Sequence, residues 1–169
     1  MIDLQKILTD IRNGDKTAFD TLYESYKTPL FTIIYRITRN LEVSEDILQE
    51  VFIKIYTYHL EPSKNPRAYL FKMAHNQAID YMRKQKLDIN LYEAENQMPH
   101  SQPDYSIKID IENALATLPD RDCQIVTLHI NGDLKFREIA EILDLPLGTV
   151  LWAYQKAIKQ LRSLLGGSI

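Results

Sequence analysis

Apolar positions recur every three to four residues along most of the chain, the period of helices that each bury one face. Leu4, Ile7, Leu8 and Ile11 form the first stripe, and Asn13-Gly14 ends it. Asp15 is placed to cap a second helix, with Phe19, Leu22, Tyr23 and Tyr26 on one face. Thr28-Pro29 reads as an N-cap followed by a first-turn proline, which starts a third helix bearing Leu30, Ile33, Ile34 and Ile37. Ser44-Glu45-Asp46 opens a fourth, with acids in the first turn where the helix dipole favours them. A loop over 57–65 contains Pro62, and Asn65-Pro66 restarts a helix that runs to about Lys86. The stretch 87–106 holds Pro99 and Pro103, is rich in polar residues and has no period, so it reads as a linker.

Beyond it, Ile107, Ile111, Ala114, Leu115 and Leu118 give another stripe, stopped near Pro119. Asp120 is placed to cap a helix through Ile130, and Asn131-Gly132 stops it. A short helix over 136–143, a turn at Asp144-Leu145-Pro146 and a last helix over 149–165 follow. No segment alternates convincingly at period two. The expected fold is all-α: two small helical domains, 1–86 and 107–169, joined by a flexible acidic linker over 87–106. The second is a four-helix domain containing a helix-turn-helix.

Composition narrows the class. The 169 residues are 25% charged and 45% hydrophobic, a normal balance for a soluble globular protein. No apolar run is long enough to span a bilayer, and the N-terminus lacks the continuous apolar core of a secretory signal. Neither membrane insertion nor export is therefore expected. The single cysteine, Cys123, excludes an internal disulfide and fits a reducing, cytoplasmic setting. Four scattered histidines without CxxC or HExxH give no metal site, and no catalytic set, cofactor motif or small-molecule site is expected.

Charge is uneven. Residues 1–86 carry 13 Lys/Arg against 11 Asp/Glu, whereas 87–111 carry one Lys against five acids. Lys64, Arg67, Lys72, Arg83, Lys84 and Lys86 face only Asp80 within their segment, and no acid follows Asp144, while Lys156, Lys159 and Arg162 do. Basic stretches on either side of an acidic one suit contact with a polyanion, although solvated helix faces would look the same.

Three constellations stand out. The segment 136–162 has the pattern of a helix-turn-helix: small Ala140 where the helices cross, Leu145 buried in the turn and Val150 pointing inward. On its last helix, Val150, Tyr154, Ala157, Ile158, Leu161, Leu164 and Leu165 share the apolar side. Thr149, Trp152, Lys156, Lys159, Gln160 and Ser163 lie opposite, with the lysines suited to phosphates. Trp152 suits either a thymine methyl or sugar edge, or docking on the linker or a partner; it lacks the donor pairs that read base edges, so packing is favoured over base contact. The helix at 44–57 turns Ile47, Leu48, Val51, Phe52 and Ile55 inward and presents Asp46, Gln49, Glu50, Ile53 and Lys54 outward. An apolar residue ringed by polar ones suits a protein-binding surface; it also occurs as a stray Ile on a solvated face. The helix at 66–86 interleaves Asn76, Gln77, Asp80, Arg83 and Lys84 with Tyr69, Phe71 and Tyr81, a mixture that suits single-stranded DNA. Phe71 and Tyr81 are expected in the core, and Asp80 can equally pair with Arg83 or Lys84.

Together these pieces resemble the extracytoplasmic-function (ECF) sigma factors of bacterial RNA polymerase. The segments that carry the resemblance are AFDTLYESYKTPLF (18–31), SEDILQEVFIKIY (44–56), NPRAYLFKMAHNQAIDYMRK (65–84), LPDRDCQIVTLHINGDLKFREIAEIL (118–143) and GTVLWAYQKAIKQLR (148–162). The resemblance implies that Asp46, Gln49, Glu50 and Ile53 meet the coiled-coil clamp of the polymerase largest subunit. It implies that Lys64, Arg67, Asn76, Asp80, Arg83 and Lys84 act at the minus-ten promoter element. Lys135, Arg137, Thr149, Trp152, Lys156 and Lys159 would then serve the helix-turn-helix at the minus-thirty-five element. The implied partners are bacterial core RNA polymerase and promoter DNA; an anti-sigma factor is a further expectation, with no residue here to identify it. The linker would run toward the RNA exit path, and with no long extension after the last helix a built-in regulatory domain is not expected. The alternative is a degenerate homologue or helix-turn-helix regulator that acts as a DNA-binding or protein adaptor without core polymerase. Departures from the family pattern are His75 for Arg, Tyr69 for Trp, Asp144 for the turn glycine, and a charge-poor Leu151-Trp152-Ala153 at the start of the recognition helix.

Overall fold

The computed structural model describes residues 3–58, 64–91 and 106–166. Among these residues the regular structure is helical throughout: α1 (Leu4–Arg12), α2 (Lys16–Thr38), α3 (Leu41–Tyr58), α4 (Pro66–Leu91), α5 (Ser106–Ala116), α6 (Asp120–Ile130), α7 (Phe136–Leu143) and α8 (Leu147–Leu164). Contacts divide the chain into two compact units, 1–83 and 84–169, with the division falling inside α4.

In the first unit α2 packs on both α1 and α3. Asp15 caps α2: its carboxylate accepts hydrogen bonds from the backbone of Thr17 at 2.8 Å and of Ala18 at 3.3 Å, and from the Thr17 hydroxyl at 2.6 Å. Those donors, the Thr17 hydroxyl first, hold its pKa below the usual carboxylate value. The expected helix start at Thr28-Pro29 does not occur, because α2 runs through Pro29 without a break. The reason lies in the packing. Leu22, Tyr26, Leu30, Ile33 and Ile34 form one buried stripe across the proline, and its burial outweighs the lost backbone hydrogen bond.

Helix α3 begins at Leu41 rather than at Ser44. The cap belongs to Asn40, whose side-chain oxygen accepts from the Val43 N–H at 3.1 Å. Ser44 is instead fully buried; its hydroxyl donates to the Asn40 carbonyl at 2.5 Å and accepts from the Thr38 hydroxyl at 2.7 Å. This bond set pins the α2–α3 corner, and Ile47, Leu48, Val51, Phe52 and Ile55 fill the core behind it. Helix α4 extends to Leu91, so the expected linker boundary at 87 is too early. Nothing in Leu87–Leu91 breaks a helix, and acidity without Pro or Gly does not stop one. The prolines at 99 and 103 and the loop residues 59–63 lie outside the described residues.

In the second unit α8 packs against α5, α6 and α7. Ala114, Leu118, Cys123, Val126, Ala157 and Leu161 form one core cluster, with Leu115, Tyr154, Ile158 and Leu165 against it. The α6 cap is Pro119, not Asp120, which stands in the first turn with Asp122, where both favour the helix dipole. Helix α8 starts two residues earlier than expected, directly after Pro146.

Candidate functional site

The turn between α7 and α8 depends on Asp144. It adopts a left-handed conformation (φ 53°, ψ 49°), which Asp tolerates better than most residues. The Leu145 N–H then reaches back to the Ala140 carbonyl at 2.9 Å, and Leu145 is half-buried in the corner. Ala140 is buried, Ile139 and Val150 fully so. At the start of α7, the Lys135 N–H donates to the Glu138 carboxylate at 2.7 Å.

A residue passed over at the sequence level orients this pair of helices. His129 of α6 stacks on Phe136 of α7 (ring centroids 4.4 Å apart) and meets Tyr154 of α8 edge-on at 4.9 Å. Its Nδ1 lies 2.8 Å from the Leu134 carbonyl, which can only accept, so Nδ1 carries the proton. One side chain thus contacts all three helices.

On α8, Lys156 and Lys159 are exposed and Thr149 is half-buried; Lys135 and Arg137 are exposed on and just before α7. Two positions differ from the expected faces: Gln160 is half-buried, its amide donating to the Thr117 hydroxyl at 3.1 Å, and Leu164 is 54% exposed. Trp152 is exposed on the outward face, with the Lys156 ammonium 5.1 Å from its ring centroid. Ala153 is fully buried and cannot reach a ligand.

On α3, Asp46, Gln49 and Glu50 are all exposed, and no ion pair among the described residues engages them. Ile53 is 61% exposed beside them. It borders a cleft of about 550 Å³ lined by Phe19, Tyr23, Phe52 and Tyr56. The aromatic walls are mutually braced: Phe19 meets Tyr56 edge-on at 5.3 Å and Tyr23 lies 4.8 Å from Phe52. A carboxylate-amide patch next to a mainly apolar cleft can hold a basic, amphipathic helix.

Helix α4 starts at Pro66, with Asn65 Oδ1 accepting from the Ala68 N–H at 3.1 Å. Leu70, Phe71, Ala74, His75 and Ala78 are all buried, so His75 lies on the inward face. Tyr69, Lys72, Asn76, Asp80 and Arg83 follow one another at helical spacing along the outer face, all exposed. Lys64 and Lys84 are exposed too. Arg83 and Asp80 form a weak exposed pair at 3.5 Å. Arg67 is half-buried, its guanidinium 5.9 Å from the Tyr26 ring centroid, which braces it before any ligand arrives. Tyr81 is half-buried and Phe71 fully so. Among the described residues no cluster of three or more His, Cys, Asp or Glu could hold a metal ion, and no helix is long and apolar enough to cross a membrane.

Known proteins share this arrangement. Residues 22–87 match the family described as Sigma-70 region 2, and residues 108–161 match Sigma-70, region 4. The ECF RNA polymerase sigma factor SigW of Bacillus subtilis is 28% identical, with 96% of each chain covered. The chain belongs to the ECF sigma factor family. SigM of the same organism is 25% identical over 87% of this sigma factor and 94% of SigM. Two solved structures share the fold, each at 19% identity: CnrH in complex with the cytosolic domain of CnrY (TM-score 0.65, 98% of both chains) and RpoE of Bartonella quintana in complex with the anti-sigma factor NepR (TM-score 0.69, 89% of this chain and 98% of that one).

Proposed function

We propose that this sigma factor binds core RNA polymerase through α3 and directs it to promoters, using α4 at the minus-ten element and α8 at the minus-thirty-five element. The observation that carries the reading is the pairing, in one chain, of an uncompensated Asp46/Gln49/Glu50 patch with two separate basic helical faces. Core polymerase supplies the chemistry; the protein catalyses nothing and acts in the cytoplasm, where polymerase and genome are. An anti-sigma factor that covers the same α3 surface would switch it off by competition.

Each surface has a distinct task. The α3 carboxylates meet cations of the polymerase clamp, and Ile53 with its cleft takes an apolar side chain between them. Lys64, Arg67, Lys72, Arg83 and Lys84 follow the phosphates of the melted strand, while Asn76 and Tyr69 hold an unstacked base. Unstacking costs a few kcal/mol, which phosphate neutralisation offsets. Lys135, Arg137, Lys156 and Lys159 hold α8 in the major groove.

Transcript mapping tests the reading. Core polymerase free of other sigma subunits, supplied with this protein and genomic DNA of its source, is expected to start transcripts at discrete sites that share two upstream sequence blocks at fixed spacing. Scattered starts, equal to those of core polymerase alone, contradict it. A second expectation concerns Lys156 and Lys159. Replacing both by Ala should weaken duplex binding nearly uniformly across sequences and flatten the plot of log affinity against log salt by about 1 to 2 units. An unchanged slope would take α8 off the DNA.

A further inference from the structure

The start of α8 carries Leu151 and Trp152 where a helix that reads bases by hydrogen bonding would carry Arg, Asn or Gln. The fold does not hide them. Trp152 is 58% and Leu151 37% exposed, while Val150 and Ala153 on either side are fully buried. The neighbouring positions are therefore fixed by the core, and the two apolar side chains are held outward by the helix itself. Lys156, one turn on, places its ammonium over the indole ring, and Lys159 follows at helical spacing. No acid occurs in the chain after Asp144. An exposed indole and isobutyl group thus sit among cations, with no repelling carboxylate on the same helix.

In the major groove one base-edge group is apolar, the C5 methyl of thymine. Hydrogen-bonding edges of guanine, cytosine and adenine gain nothing from a leucine, and an indole has a single N–H to offer. We propose that Leu151 and Trp152 form an apolar reading tip that recognises thymine methyl groups, so that α8 selects A·T pairs at the positions it covers. The proposal rests on α8 being the helix in the major groove and adds what that helix reads. Lys156 serves both halves of the contact, drawn to the ring face and close enough to the groove wall for a phosphate.

The test separates the methyl group from the rest of the base pair. The full chain assembled on core polymerase selects duplexes from a randomised library, and thymines in the selected upstream block are then replaced singly by deoxyuridine, which removes the methyl and keeps the pairing. Each replacement at a contacted position is expected to weaken binding about three- to four-fold, the worth of burying one such group. The loss should vanish in Trp152→Ala or Leu151→Ala and persist in Trp152→Phe, which keeps an apolar ring. Because both side chains are exposed, these variants retain the fold. If deoxyuridine has no effect while Lys156→Ala with Lys159→Ala still weakens binding, the apolar tip is overturned, the DNA-facing role of α8 stands, and Trp152 belongs to a protein contact. If the assembled protein selects no duplex, the tip and the reading beneath it fall together.

Discussion

Changing Asp46 and Glu50 together to Lys is expected to lower the affinity for core polymerase by at least about 100-fold. The two carboxylates are exposed on α3, have no partner among the described residues, and lie one turn apart beside Ile53. Juxtaposing like charges at a protein interface costs several kcal/mol, and each 1.4 kcal/mol is tenfold in affinity. The same substitutions should leave thermal unfolding almost unmoved, since exposed positions without structural partners typically change stability by less than about 0.5 kcal/mol. Weakened binding together with a lower melting temperature would point to damage in the fold; unchanged binding would remove α3 from the interface.

A second large effect separates two aromatic residues that the sequence places two positions apart. Phe71 is 1% exposed, at the centre of the inward face of α4, and truncating it to Ala should cost about 3–5 kcal/mol of stability through lost burial and the cavity left behind. Tyr69 is 45% exposed. Its replacement by Ala should leave stability within about 0.5 kcal/mol and weaken binding to a single-stranded minus-ten oligonucleotide by about 1–3 kcal/mol, the usual worth of one base stacked on an aromatic ring. Denaturant titration reads the first effect and oligonucleotide competition on the assembled polymerase reads the second. A stable Phe71→Ala variant that loses DNA, or a Tyr69→Ala variant that unfolds, would reverse the roles given to the two faces of α4.

Helical periodicity alone predicted nearly every helix, and all five residues of the inward set on α3 are buried, with Ser44 the one buried residue of that helix it left out. What it missed depended on contacts between elements. Thr28-Pro29 has the local chemistry of a helix start, yet the stripe from Leu22 to Ile34 packs as a unit and carries α2 through it. Ser44 looks like a cap until Asn40 is seen to do that work while Ser44 bonds to Thr38 from inside the core. A helical wheel treats every residue of α8 as if the helix were covered evenly; Gln160 is half-buried because Thr117, just after α5, offers its amide a partner, and Leu164 is 54% exposed at the edge of a cleft it shares with Asn113 and Ala114. His129 had no signal along the chain, because its partners Phe136 and Tyr154 are brought to it only by the folded arrangement of α6, α7 and α8.

The candidate surfaces were more legible than the corners, because an outward face is defined by what the core does not use. Asp46, Gln49, Glu50 and Ile53 could be placed from spacing alone. The aromatic cleft beside Ile53 could not, since Phe19 and Tyr23 come from another helix and their alignment with Phe52 and Tyr56 is tertiary. The helical wheel puts Trp152 opposite the apolar side of α8, and its exposure between buried Val150 and Ala153 agrees.

The most direct test of the central claim is fluorescence anisotropy of the labelled protein titrated with bacterial core RNA polymerase, run beside the Asp46→Lys, Glu50→Lys variant. Saturable binding that unlabelled protein displaces, and that the variant loses while remaining folded, is the predicted result. A folded protein, free of any inhibitor, that gives no change in anisotropy at any polymerase concentration would contradict it.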